Sequence, residues 1–204
     1  MLPEAAGPEH RDRFRSPVLP AAIWSVILAA APFLSIPAAA ALPWSIGAVL
    51  LLGVFPPALV GFLSARNDLR RLPPSSLPSA VLGAAAMAGM AQWAILRLTG
   101  PLTLSAAAFA LIASALILMV ANSFTSWSWL DLSLGAGLVI LGTTLVLLVP
   151  GVAGWVVAAA LVAGQACILL LRLRQGDPAR CLAAAASGAV AGGGVFLWLL
   201  AYAR

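Results

Sequence analysis

LDLSLGAGLVILGTTLVLLVPGVAGWVVAAALVAGQACILLLRLR, residues 130–174, decides the fold. It holds two apolar runs, about Leu130–Val149 and Val152–Leu173, separated by Pro150-Gly151 and closed by Arg172 and Arg174. Neither run carries a charge at its centre. Each is close to the ~20 residues an α-helix needs to cross the hydrocarbon core of a bilayer, where a charge costs several kcal/mol. Proline opens a helix and glycine tolerates a turn, so Pro150-Gly151 reads as a tight hairpin. The stretch is therefore read as two antiparallel membrane helices.

The same pattern recurs along the chain. Further runs are placed at about Val18–Ala38 (interrupted by Pro32), Leu42–Ser64 (containing Pro56-Pro57), Ser79–Leu98, Leu102–Asn122 and Cys181–Tyr202. The fold class expected is an all-α integral membrane protein, a bundle of about seven transmembrane helices. Residues 1–16 form a polar tail and residues 17–204 a single transmembrane domain. Composition agrees: 63% of the 204 residues are hydrophobic and 8% charged, against about 45–50% and 25% in soluble domains. The charges that persist to Arg15, and the length of the apolar run that follows, argue for a first span that stays rather than a cleaved signal peptide.

Net charge is +5 and every basic residue is an arginine. The arginines lie in small groups beside apolar runs, not along one exposed face, so nucleic acid is not the expected partner. Arg11, Arg13 and Arg15 precede the first run; Arg66, Arg70 and Arg71 follow the second; Arg172, Arg174 and Arg180 follow the sixth. With seven spans these nine of eleven arginines share one side, leaving Arg97 and Arg204 on the other. The positive-inside rule then places the N-terminus in the cytoplasm and the C-terminus outside, in a membrane read as the bacterial cytoplasmic (inner) membrane. The gap from Asn122 to Ser133 has no arginine; Trp127 and Trp129 fit the headgroup level there, as anchors or as a docking segment.

Helices in lipid associate by close approach of small residues. Ala184, Gly188 and Gly192 recur every four residues in the seventh run, and Ala160 and Gly164 do so in the sixth. These stripes are expected to pack helix on helix within the monomer, with a homodimer contact as the alternative. Pro32, Pro56 and Pro57 are hinge candidates, because an internal proline removes helical hydrogen bonds and clashes with the preceding turn. Cys167 and Cys181 read as small apolar packers at different depths.

Chemistry is sparse. The one histidine, His10, lies in the tail, and no His, Cys or carboxylate spacing holds a metal. No catalytic residue and no cofactor is expected. The uncharged polar residues Gln92, Gln165, Thr143, Thr144 and Asn122, with Arg97, are candidates for a substrate path, or else for interhelical hydrogen bonding. Arg66, Asp68, Arg70 and Arg71, with Arg172, Arg174 and Arg180, are candidates for an anionic headgroup or phosphate, since guanidinium groups hold phosphate through paired hydrogen bonds. No membrane-embedded carboxylate is expected to carry an ion, which disfavours proton- or sodium-coupled transport. The functional expectation is a small-solute transporter or channel, or an accessory subunit of a membrane complex. The alternative is an enzyme acting on a lipid or phosphate-bearing substrate through the Arg66–Arg71 loop. Expected partners are the lipid bilayer and a homo-oligomer or larger membrane complex.

Overall fold

A computed structural model describes residues 18–54, 89–90, 95, 97–98, 100–121, 123–125, 127–148 and 152–202. Pro56, Pro57, Arg66, Asp68, Arg70, Arg71, Gln92 and Asn122 lie outside the described residues. Every described element is helical. Helix α1 (Val18–Ala30) runs into a 3-10 turn, Ala31–Leu34; α2 (Ala38–Ala48) runs into a π turn, Val49–Val54. The chain continues with α3 (Leu102–Ala121), α4 (Trp129–Leu148) and α5 (Val152–Gln175). The last rod is α6 (Pro178–Gly188), a π turn (Ala189–Gly193) and α7 (Gly194–Tyr202).

Four of these stretches are long and apolar enough to cross a membrane: Leu102–Ala121, Trp129–Leu147, Trp155–Gln175 and Pro178–Tyr202. Over the described residues, Leu19–Leu34 and Ala38–Val54 are shorter apolar stretches. The four long helices match the runs read from the sequence to within three residues at either end. The first two differ from expectation. Pro32 does not kink a continuous span; it sits in the 3-10 turn that ends the first helix, where its carbonyl accepts from the Ser35 and Ile36 amides. Helix α2 starts at once after Pro37 and carries Pro43 inside it. The described parts of the first two helices thus form a hairpin, tied where the Ser45 hydroxyl donates to the Ala29 carbonyl at 2.8 Å.

Two sets of contacts fix the ends of the bundle. At one end, Trp24 of α1 meets Ser133 of α4, and Asp131 of α4 meets Arg172 of α5. At the other, Ser35 beyond α1 meets Thr103 of α3, their hydroxyls 2.8 Å apart. Helix α4 is the hub: it packs against α1, α3, α5, α6 and the second π turn. It and its neighbours supply the core, with Trp24, Ile27, Leu28, Leu104, Ile140 and Phe196 almost wholly enclosed. Helix α5 is the opposite case. It leans on α4 and α6 along one edge, and only 6% of its apolar stretch is buried.

Glycine sets the closest approach in the interior. A Cβ on Gly188 would overlap the Leu132 carbonyl oxygen, and one on Gly135 would overlap the Ala185 carbonyl oxygen. Helices α4 and α6 therefore touch backbone to backbone at two reciprocal points. Gly192, in the π turn, faces the Ser114 hydroxyl of α3, and Gly53, in the first π turn, faces the Ser25 hydroxyl of α1. Close glycine–oxygen contacts of this kind place Cα–H groups on neighbouring oxygens, a weak but recurring helix-to-helix interaction.

Candidate functional site

The strongest polar feature is an ion pair between helices. Arg172, near the end of α5, donates from Nε to Asp131 Oδ1 at 2.9 Å and from Nη2 to Oδ2 at 3.1 Å. The fork of the guanidinium meets both carboxylate oxygens, the geometry that gives this pair direction as well as charge. Asp131 is enclosed, with its side chain 6% exposed, while that of Arg172 is 22% exposed. The carboxylate sits in the first turn of α4, where the helix dipole favours a negative charge. The arginine sits in the last turn of α5, where it favours a positive one. The buried Cys181 of α6 lies close enough to feel both charges. The pair thus ties the start of α4 to the end of α5.

Around it stand the aromatic groups of the same end. Trp24 donates its indole N–H to Ser133 Oγ at 3.1 Å and stacks on Trp129, with ring centres 6.3 Å apart. Ser133 is fully buried, so this bond satisfies two groups that would otherwise be costly in an apolar interior. Asp177 caps α6 by accepting from the Ala179 and Arg180 amides, with Pro178 at the first helical position, and pairs on the surface with Arg180 at 3.2 Å. Arg174 is exposed.

Arg172, a sequence candidate for anion binding, is therefore engaged by a carboxylate of the neighbouring helix. Asp131 lies in the first turn of an apolar helix long enough to cross a membrane, at the end of the run read from the sequence and not at its centre.

The candidates for a substrate path are placed as follows. Thr143 Oγ1 donates to the Val139 carbonyl at 2.7 Å and Thr144 Oγ1 to the Ile140 carbonyl at 2.8 Å, each one turn back on its own helix. Gln165 is buried and reaches from α5 onto α4: a Cβ on Gly137 would stand 2.6 Å from its Oε1 and 3.1 Å from Ile23 Cγ2. That Oε1 and the Ser114 Oγ are the two buried side-chain oxygens without a hydrogen-bond partner among the described residues. Both point at a glycine of the facing helix. Arg97 is exposed, close in sequence to Gly100, which packs on Trp44 and Ile95.

Of the small-residue stripes, Ala184, Gly188 and Gly192 are buried. Ala160 and Gly164 are exposed on α5, and a Cβ on Gly164 meets nothing within 4 Å among the described residues. Cys167 likewise is exposed rather than packed. Among the described residues no three His, Cys, Asp or Glu side chains gather as metal ligands.

The signal for the Asp131–Arg172 pair was present in the sequence. The two residues lie almost equally far from Pro150-Gly151, so folding the hairpin brings them opposite each other.

The chain matches no family model, no curated protein and no solved structure.

Proposed function

We propose that the protein is a non-catalytic accessory subunit of a membrane complex, built as seven helices with its N-terminus in the cytoplasm of a bacterial inner membrane. The observation that carries this reading is how the polar groups of the described helices are used. Thr143 and Thr144 are bonded to their own helix, Arg172 is held by Asp131, and α4 and α6 meet backbone to backbone. These groups serve packing and register, the work of a scaffold, rather than a wetted path. The seven-span topology is supported by the ends of the described helices. Gly53, near the end of the α2 hairpin, lies beside Ser25, towards the Asp131 end, whereas Thr103, at the start of α3, lies beside Ser35 at the other end. These two described ends lie at opposite ends of the bundle, as an odd number of crossings between them requires.

One observation favours passive transport of a small neutral solute as the second reading. The Gln165 carbonyl oxygen is buried without a hydrogen-bond partner among the described residues, and such a group is ready to receive a donor. A single pair of measurements separates the readings. Membranes of the native host are extracted into polymer-bounded discs and the particle holding the chain is sized, and the purified chain is tested for solute flux in liposomes. An accessory subunit is found in a particle of fixed composition larger than the monomer and gives liposomes no tighter or leakier than empty ones. A monomeric particle, with flux that Gln165→Leu abolishes, overturns the proposal in favour of transport.

A further inference from the structure

We propose that the outer face of α5 binds an anionic phospholipid, with the headgroup phosphate on Arg174 and the acyl chains along the exposed apolar side chains beneath it. This is independent of the accessory reading and rests on three observations about one helix.

The first is the face itself. Helix α5 touches the bundle along one edge, and Trp155, Leu161, Leu170 and Leu171 are exposed. The second is its length. Trp155 and Arg174 stand roughly 28 Å apart along an ideal helix axis, close to the ~30 Å of a bilayer's hydrocarbon core. The tryptophan and the arginine thus mark its two boundaries, and Leu170 and Leu171 lie about one turn inside the Arg174 boundary, where the first methylenes of a lipid sit.

The third is charge. Two residues two positions apart on a helix point about 200° apart. Arg172 and Arg174 therefore cannot both face the bundle. Arg172 turns inward to Asp131, and Arg174 is left on the outer face. Of the three described arginines at this end, Arg172 is neutralised by Asp131 and Arg180 by Asp177, whereas Arg174 makes no ion pair among the described residues. Its guanidinium presents paired donors at headgroup depth, the complement of a phosphate whose charge no choline offsets. A zwitterionic lipid offers the same acyl chains and a weaker electrostatic partner.

The test uses the purified full chain in micelles, titrated with phosphatidylglycerol or with phosphatidylcholine of the same acyl chains, with retained lipid counted by native mass spectrometry. Phosphatidylglycerol is expected to be retained several-fold more tightly. Arg174→Gln lowers that preference roughly fivefold, the equivalent of about 1 kcal/mol for one basic residue at an anionic surface. Arg174→Lys keeps most of it, and Arg97→Gln, at an exposed arginine elsewhere, leaves it intact. Thermal unfolding of each variant is measured alongside, so that a lost preference in a destabilised protein is not counted as support. Equal retention of the two lipids overturns the proposal. So does a preference that survives Arg174→Gln, or one that falls equally with Arg97→Gln.

Discussion

Replacing Gly188 with alanine adds one methyl group where α4 and α6 meet backbone to backbone. The new Cβ would overlap the Leu132 carbonyl oxygen and stand 2.8 Å from the carbonyl carbon and 3.1 Å from the Leu132 Cα, where ordinary contact begins near 3.4 Å. All three atoms are backbone, so no rotamer change relieves the clash. Helices α4 and α6 must separate by on the order of 1 Å, and α4 is held from behind by the Trp24–Ser133 and Arg172–Asp131 bonds. Separation also opens the reciprocal contact at Gly135. Overpacking of this sort costs about 1–3 kcal/mol, and a backbone clash belongs at the upper end. Alanine returns about 1 kcal/mol through its better helix propensity. The net loss expected is about 2 kcal/mol. Reversible unfolding in mixed detergent micelles, followed by tryptophan fluorescence, measures it. Gly164→Ala is the control: its Cβ meets no described atom within 4 Å, so only the propensity gain remains and stability rises by up to about 1 kcal/mol. If Gly188→Ala is as stable as the parent, or Gly164→Ala loses as much, the backbone-contact account of this bundle is wrong.

The double variant Gly135→Ala/Gly188→Ala is expected to lose less than the sum of the single losses, because one separation of α4 from α6 relieves both clashes; the same unfolding assay gives the coupling. Asp131→Asn leaves the partly buried Arg172 with half its ion pair and lowers stability by about 3 kcal/mol, whereas Asp131→Leu with Arg172→Met restores most of the loss, since an apolar pair needs no desolvation. Gln165→Leu removes a buried carbonyl oxygen without a hydrogen-bond partner among the described residues and leaves stability within about 1 kcal/mol of the parent; a loss beyond that shows that the amide makes a bond that matters. Single cysteines in a cysteine-free background report topology: those at Thr125 and Gly176 react with an impermeant maleimide from one side of the membrane and one at Gly100 from the other, and any shared reactivity between the two sets refutes the seven-span arrangement.

The long helices were legible because the bilayer imposes a period-free requirement. About 20 apolar residues without a central charge suffice to call a span, and nothing in a neighbouring helix overrides that. Leu102–Ala121 and Trp129–Leu148 accordingly fall where the composition put them. The first two helices were harder, because Pro32, Pro37 and Pro43 follow each other closely. Composition alone does not say which proline ends a helix, which starts one and which is absorbed. The answer lies in hydrogen bonds: the Pro32 carbonyl accepts from Ser35 and Ile36 and closes α1, while the Pro37 carbonyl accepts from Ala40 and Ala41 and opens α2. The π turns at Val49–Val54 and Ala189–Gly193 leave no mark in hydropathy at all.

The polar site was missed for a different reason. Asp131 was given no role of its own, and reading Arg172 with Arg174 and Arg180 gave all three one role. Helical geometry separates them. Asp131 and Leu132 diverge by about 100°, and Arg172 and Arg174 by about 200°, so neighbours in sequence are assigned to different environments. Once the Pro150-Gly151 hairpin is granted, Asp131 has one cation at its own depth on the returning helix, and that cation is Arg172. An acid at the start of one span and an arginine at the end of the next, almost equally far from a two-residue turn, therefore already constitute a prediction of contact. The remaining arginine, turned outward by the same geometry, is left to the lipid.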